Sequence, residues 1–198
     1  MPAKPTYHHG DLRNGLLQAG LATLEESGLH GLTLRAIAGR AGVSHAAPAH
    51  HFGSLKGLLT ALVTLAFNRF SAAMAHERAA AAPDPASQMR AAGRGYLAFA
   101  QATPALFRLM FSATELDWSD TALQLAAQAA RLHLTQIARP AAGTAGLDAA
   151  AIENLVWASV HGFVMLSIDG HLDSADCEHR AQMPDIARLF FAGPGGTQ

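Results

Sequence analysis

Cysteine is all but missing from this 198-residue chain. Cys177 stands alone, which excludes an intrachain disulfide framework and a multi-cysteine zinc site and agrees with a reducing compartment. An excess of one charge is missing too. Fourteen basic against fifteen acidic side chains leave −1, so the bulk basicity of histone-like or ribosomal proteins is excluded and any nucleic-acid site must be local. Met1 to Asp11 hold no apolar run of the kind a secretory signal needs. The most hydrophobic stretch, Ile152 to Ile168, is broken by Glu153, Asn154, Ser159, His161 and Ser167, short of the roughly 20 apolar residues of a membrane span. The expectation is a cytoplasmic protein with no membrane partner. Period-two alternation and β-branched runs are scarce beside Ala and Leu, which points to an all-α fold.

What charge there is lies unevenly. Up to Thr60, Lys4, Arg13, Arg35, Arg40 and Lys56 face only Asp11, Glu25 and Glu26, and six of the eleven histidines lie there as well. Nine arginines and twelve acids make up the remainder. A slightly positive front end on an acidic body suggests two jobs.

Capping signals place the helices. Asp11 opens a first helix that runs through Leu12, Leu16, Ala19, Ala22 and Leu24 to a stop at Gly28. Thr33 caps a helix from Leu34 to Ala41 that Gly42 ends, Ser44 caps another from His45 to His51, and Ser54 opens a long one that lasts until Ala79. Five more follow at about Ala86–Ala102, Pro104–Ser112, Asp120–Ala138, Asp148–Asp169 and Pro184–Ala192, with Pro140 to Gly146 as a loop. No period of 20 to 50 residues recurs, so a bundle rather than a solenoid is expected.

Thr33 to Lys56 has the spacing of a helix-turn-helix, with Gly42 and Val43 in the turn. The small residues His45, Ala46 and Ala47 allow close approach to base edges, alanine methyls can touch a thymine methyl, and Ser44 or nearby N–H groups can hold a phosphate. A plain three-helix core with solvated histidines is the alternative from spacing alone.

Beyond spacing, Tyr7 to Phe70 resembles the N-terminal domain of the TetR family of bacterial transcriptional regulators, through Gly28–Thr33 (GLHGLT), Leu34–Ser44 (LRAIAGRAGVS), His50–Ser54 (HHFGS) and Gly57–Leu59 (GLL). The resemblance implies a homodimer that binds a double-stranded DNA operator, with a helix-turn-helix domain at residues 1–55 and a C-terminal helical bundle at 56–198, reached by a linking helix at about 55–79, that binds a small-molecule effector and dimerises. It also implies a DNA-facing set of Arg35, Ser44, His45, Ala46, Ala47, His50, His51 and Lys56. Many relatives carry a tyrosine and a lysine, both phosphate contacts, where this chain has Ala49 and Leu55; fewer such contacts imply a shallow dependence of affinity on salt. Pro48 lacks a donor near the start of the reading helix.

Trp157, His161 and Gly162 within VWASVHGFVMLSIDG resemble the Trp-x-x-x-His-Gly signature of one TetR subgroup. A glycine inside a helix suggests that a neighbouring helix packs on its bare backbone. An apolar effector pocket is expected from Phe99, Phe107, Met110, Phe111, Trp118, Trp157, His161 and Met165, core or dimer packing being the alternative for each. Asp169, His171, Asp173, Asp176, Cys177, Glu178 and His179 place metal-capable groups within eleven residues, but without paired ligand spacing the reading is a solvated acidic loop, with no metal and no cofactor assigned. No glycine-flanked nucleophile motif or phosphate-binding glycine loop is present, so no catalytic residues are assigned.

The expected function is a ligand-responsive regulator, most simply a repressor released by an apolar effector that alters the spacing of paired reading helices from the roughly 34–36 Å that successive major grooves require. The alternatives are a binding protein or enzyme for small hydrophobic molecules that has lost DNA binding, and a metal-responsive regulator using the Asp169–His179 cluster.

Overall fold

Side-chain caps set the start of several helices. Thr33 Oγ1 accepts the Ala36 N–H at 3.1 Å, Ser54 Oγ that of Gly57 at 3.1 Å, Asp84 Oδ1 that of Ser87 at 2.9 Å and Asp148 Oδ2 that of Ala151 at 2.9 Å. Each supplies an acceptor to a backbone donor with no partner inside the helix. A computed structural model describes residues 9–112, 115–172 and 183–191. Among these the chain is all-α, with no strand: α1 (His9–Gly31), α2 (Leu34–Ala41), α3 (Ala47–Phe52), α4 (Leu55–Ala79), α5 (Pro85–Ala102), α6 (Pro104–Ser112), α7 (Thr121–Ala145), α8 (Ala149–Ile168) and α9 (Ala187–Phe191).

Four boundaries differ from the sequence reading, the first being that α1 begins at His9, two residues before the expected Asp11. Ser44 does not cap α3. The Ala47 N–H that its hydroxyl would need bonds to the Ser44 carbonyl at 3.0 Å, Pro48 has no N–H to offer, and the first i−4 bond runs from His50 to Ala46 at 2.9 Å. Helix α3 therefore starts at Ala47, leaving His45 and Ala46 in the preceding turn. Pro140 does not end α7, which continues to Ala145; Ile137, Ala138, Ala141 and Ala142 are all buried, and that packing on both sides of the proline offsets the lost hydrogen bond. Helix α9 is shorter than expected because Ile186 N–H and Arg188 N–H turn back onto Pro184 and Asp185. The stop at Gly28 stands as a break inside α1, where φ is 66° and ψ −170°.

The chain divides into two units, Met1–Ala66 with Ala105–Leu125, and Phe67–Pro104 with Ala126–Gln198. In the first, Leu16, Leu24, Leu32, Ile37, Leu58, Leu62 and Val63 are almost wholly buried, as are Leu106, Phe107 and Leu123. Thr60 is buried in the same unit, and its hydroxyl donates to the Lys56 carbonyl at 2.8 Å while accepting the Asp117 N–H at 2.9 Å. In the second, α5 packs against α8 and α9, and its crossing of α4 is backbone on backbone. A Cβ on Gly95 would stand 2.6 Å from both the Ala73 carbonyl oxygen and Met74 Cα.

Helices α4 and α8 are each long and apolar enough to cross a membrane by length and composition alone. This corrects the exclusion drawn from the polar breaks in Ile152 to Ile168, because the whole helix from Ala149 meets the requirement. Core helices of water-soluble domains meet it as well, and half of the apolar window of α4 is buried within the fold.

Gly57 is the tightest site in the first unit, since a Cβ there would lie 2.0 Å from the Phe52 carbonyl oxygen. Replacing Gly57 by Ala should lower Tm by about 5 °C or more in a thermal melt, from a steric cost of about 1–3 kcal/mol. Gly15→Ala, where a Cβ meets nothing within 4 Å, should leave Tm unchanged or raise it slightly, and equal losses in both variants would contradict the packing argument.

Candidate functional site

Presentation of α3 is a backbone problem solved by two glycines. Gly42 takes φ 67° and ψ 30°, a left-handed conformation that a side chain resists, and its N–H reaches the Gly39 carbonyl at 3.2 Å while the Val43 N–H reaches that of Ala38 at 3.0 Å. Ile37 and Ala38, fully buried, fix α2 below the turn, and Pro48 is buried on the inner side of α3. Gly53, at φ 73°, closes α3 with its N–H on the Ala49 carbonyl at 2.8 Å. Seating on α1 is equally close: a Cβ on Gly20 would come within 3.3 Å of Leu62 and 3.8 Å of Ile37.

The eight residues expected to face DNA then fall on one short stretch of chain. Arg35, Ser44, His45, Ala46, His50 and Lys56 are exposed, and Ala47 and His51 are half-buried. The rings of His50 and His51 meet edge to face at 5.6 Å, and His51 leans on Phe52 at 6.4 Å. The Arg13 guanidinium lies 5.2 Å from the centre of the Phe52 ring, a cation–π contact that ties α1 to the end of α3.

Cation pairing decides which charges remain for a phosphate. Arg40 grips Glu26 with two guanidinium nitrogens, one of them at 2.7 Å; that hydrogen bond holds the Glu26 carboxyl below its usual range and the Arg40 guanidinium above its own. Asp117 is held low mainly by hydrogen bonds from Ser119 and in part by the charge of Lys56. Arg35 makes no ion pair among the described residues.

The eight residues expected to contact an effector divide between the units. Phe107, Met110, Phe111 and Trp118 belong to the first, where Phe107 and Met110 are buried, the Phe107 and Phe111 rings pack at 5.0 Å, and Phe111 and Trp118 are exposed. Phe99, Trp157, His161 and Met165 belong to the second. There Tyr96 of α5, absent from the expected set, is the polar centre. Its Oη lies 2.8 Å from His161 Nδ1, and the rings of Trp157 and His161 meet edge to face at 6.5 Å. Phe70 stacks edge to face on Tyr96 at 4.6 Å and touches Phe99 at 5.4 Å. Burial pushes the Tyr96 phenol well above its ordinary value, opposed by Trp157, and burial pushes His161 down. Both partners of this hydrogen bond are therefore held in their neutral forms. One signal for Tyr96 was legible: it is one of two tyrosines in the chain and stands one helical turn before Phe99.

Among the described residues nothing comes within 4 Å of a Cβ placed on Gly162, so the neighbouring helix expected to pack on its bare backbone is not found among the described helices. Of the metal-capable cluster, Asp169 ends α8, its N–H on the Met165 carbonyl at 3.0 Å. Asp173, Asp176, Cys177, Glu178 and His179 lie outside the described residues, and among the described residues no group of three His, Cys, Asp or Glu could hold a metal.

Two family profiles match the chain. One, described as bacterial regulatory proteins of the tetR family, matches residues 16–62, and one described as a tetracyclin repressor-like C-terminal domain matches 89–184. A curated relative, the HTH-type transcriptional regulator BetI of Burkholderia lata, is 39% identical over 79 residues, 40% of this chain and 41% of that protein. The match thus spans about two-fifths of the length of these curated relatives. A solved structure from Rhodococcus sp. RHA1, a protein with unknown function, is 35% identical with a TM-score of 0.74, covering 87% of this chain and 90% of that one. The TetR family regulator PfmR from Thermus thermophilus shares the fold at 20% identity and a TM-score of 0.61, over 88% of this chain and 93% of its own.

The Tyr96–His161 bond has a direct test. Tyr96→Phe leaves the part-buried Nδ1 without its hydrogen-bond partner at a cost of about 1–2 kcal/mol, so Tm should fall by roughly 3–6 °C in a thermal melt; a melt matching wild type would show that the bond contributes nothing.

Proposed function

The chain belongs to the TetR family of bacterial transcriptional regulators, and we propose that it acts as a ligand-responsive, DNA-binding repressor in the cytoplasm, working as a homodimer released from its operator by a small apolar effector. The observation that carries this reading is the helix pair α2–α3. A left-handed glycine and a buried Ile37–Ala38 pair hold the second helix at a set angle, with its outer residues exposed.

In this reading residues 1–55 form the reading domain and 56–198 the effector and dimer domain. Arg35 and Lys56 contact phosphates, and His45, Ala46 and Ala47 meet base edges in the major groove, with Ser44, His50 and His51 alongside. The second unit supports effector binding through the Tyr96–His161–Trp157 centre, whose neutral groups suit an apolar molecule carrying one polar group. The pairing of Trp157, His161 and open Gly162 supports placing it in the Trp-x-x-x-His-Gly subgroup. Exposed Leu155 and Leu166, with Gly162 between them, give α8 an apolar face that a second copy would cover. Its matched families are regulators rather than enzymes.

Fluorescence anisotropy with duplexes taken from the DNA flanking its own gene tests the reading, and failure to bind any of them would overturn it. Affinity should fall with salt along a shallow log–log line, because Ala49 and Leu55 offer no phosphate contact. Arg35→Ala should reduce that slope by about one. His45→Ala, by contrast, should alter preference among duplexes and leave the slope unchanged.

A further inference from the structure

A polar cluster at the end of α4 belongs to neither site. Arg78 Nε donates to Gln88 Oε1 at 3.0 Å, and its Nη1 donates to Gln136 Oε1 at 2.7 Å and to His133 Nδ1 at 2.8 Å. The Gln88 amide returns hydrogen bonds to the Arg78 and Ala82 carbonyls, both at 3.0 Å. On its other side, His133 Nε2 lies 3.1 Å from Ser71 Oγ. Segments of α4, α5 and α7, all within the second unit, thus converge on one guanidinium.

No carboxylate among the described residues joins the cluster. Glu77, next to Arg78 in sequence, pairs with Arg94 at 2.9 Å, and Glu153 of α8 pairs with Arg131 of α7 at 3.5 Å. All acceptors of Arg78 are therefore neutral, and one of them is titratable. A guanidinium has only donors and stays charged. Nδ1 of His133 must then be the bare nitrogen, with the proton on Nε2 and directed at Ser71. The cluster as built exists in one protonation state only.

We propose that the Arg78–His133 contact is a proton-sensitive latch, fastening the Ser71–Arg78 part of α4 to α7 when the imidazole is neutral and releasing it in acid. Protonation at Nδ1 removes the acceptor and sets two cations at hydrogen-bond distance. Burial in the first place, and the Arg78 charge in the second, hold His133 below the ordinary histidine value, with the contact to Ser71 acting the other way; burial also lowers Arg78. In the window between the lowered folded value and the ordinary one, the unfolded chain binds more protons than the folded chain. The latch's stabilising contribution is therefore complete above the ordinary histidine value and lost as pH falls through the folded one. Its consequence for gene control rests on the DNA-binding reading above; the latch itself does not.

Thermal melts and an NMR titration of the His133 ring, run on the full chain between about pH 7.5 and about pH 5.5, test it with His133→Gln and Arg78→Gln. The first variant keeps a neutral acceptor; the second removes the opposing cation. Wild type should lose about 3 °C more in Tm on acidification than His133→Gln, and the His133 ring should titrate at higher pH in Arg78→Gln than in wild type. Equal acid losses, or a ring whose titration Arg78→Gln leaves in place, would overturn the latch. Operator affinity measured on the same proteins should drop at least about threefold more in acid for wild type than for His133→Gln. DNA binding that is absent at both pH values would overturn the regulatory reading instead, leaving the latch to the melts and the titration.

Discussion

The close contact between the Phe52 carbonyl and the bare α-carbon of Gly57 governs how α3 is held. A six-residue helix cannot stand alone in water, because nucleation costs more than so few hydrogen bonds return. Its geometry must come from its neighbours. Pro48 anchors its inner side in the core, Gly42 sets its entry, Gly53 its exit, and Gly57 lets the first turn of α4 close directly on its last carbonyl. With the backbone fixed at both ends, the exposed side chain of His50 is presented by the helix itself, while that of His45 stands on the turn that leads into it.

Charge on this surface is sparse and partly committed. The Glu26–Arg40 pair is exposed and adds little to stability, but it takes one cation out of play. Asp117, brought beside α4 by its N–H bond to Thr60, feels the charge of Lys56 without an ion pair among the described residues. What remains at the α2–α3 face is Arg35, Lys56 and a group of histidines. Such a surface relies on fit and local hydrogen bonding more than on a broad positive field, in keeping with a net charge of −1.

Helix positions were legible wherever a cap and a stop lay in sequence. Thr33 with Gly42, and Ser54, Asp84 and Asp148 at their own helix starts, act in the structure as their chemistry suggests. Ser44 looked equivalent and is not, because Pro48 changes which N–H groups are available two to four residues on. Pro140 misled in the opposite direction. Its local cost is readable from one residue, whereas the burial of Ile137, Ala138, Ala141 and Ala142 that outweighs it is a tertiary fact. Helix α3 could be found because its residues are contiguous. Tyr96 and His161, 65 positions apart, and Arg78 and His133, 55 apart, could not be paired from spacing, since only the crossing of helices brings them together.

Both of these pairs hold a histidine in its neutral form inside a helical unit. Tyr96 gives His161 an uncharged partner, and burial holds that ring below the ordinary histidine value. Arg78 gives His133 a permanent cation, which adds repulsion to the same cost. Of the two, His133 is the one that gains a proton at hydrogen-bond distance from a cation. Its contact holds residues of α4, a helix that runs from Leu55 to Ala79 without a proline or a left-handed residue and so carries no built-in hinge. Within the second unit, displacing Arg78 acts on the last turn of that helix.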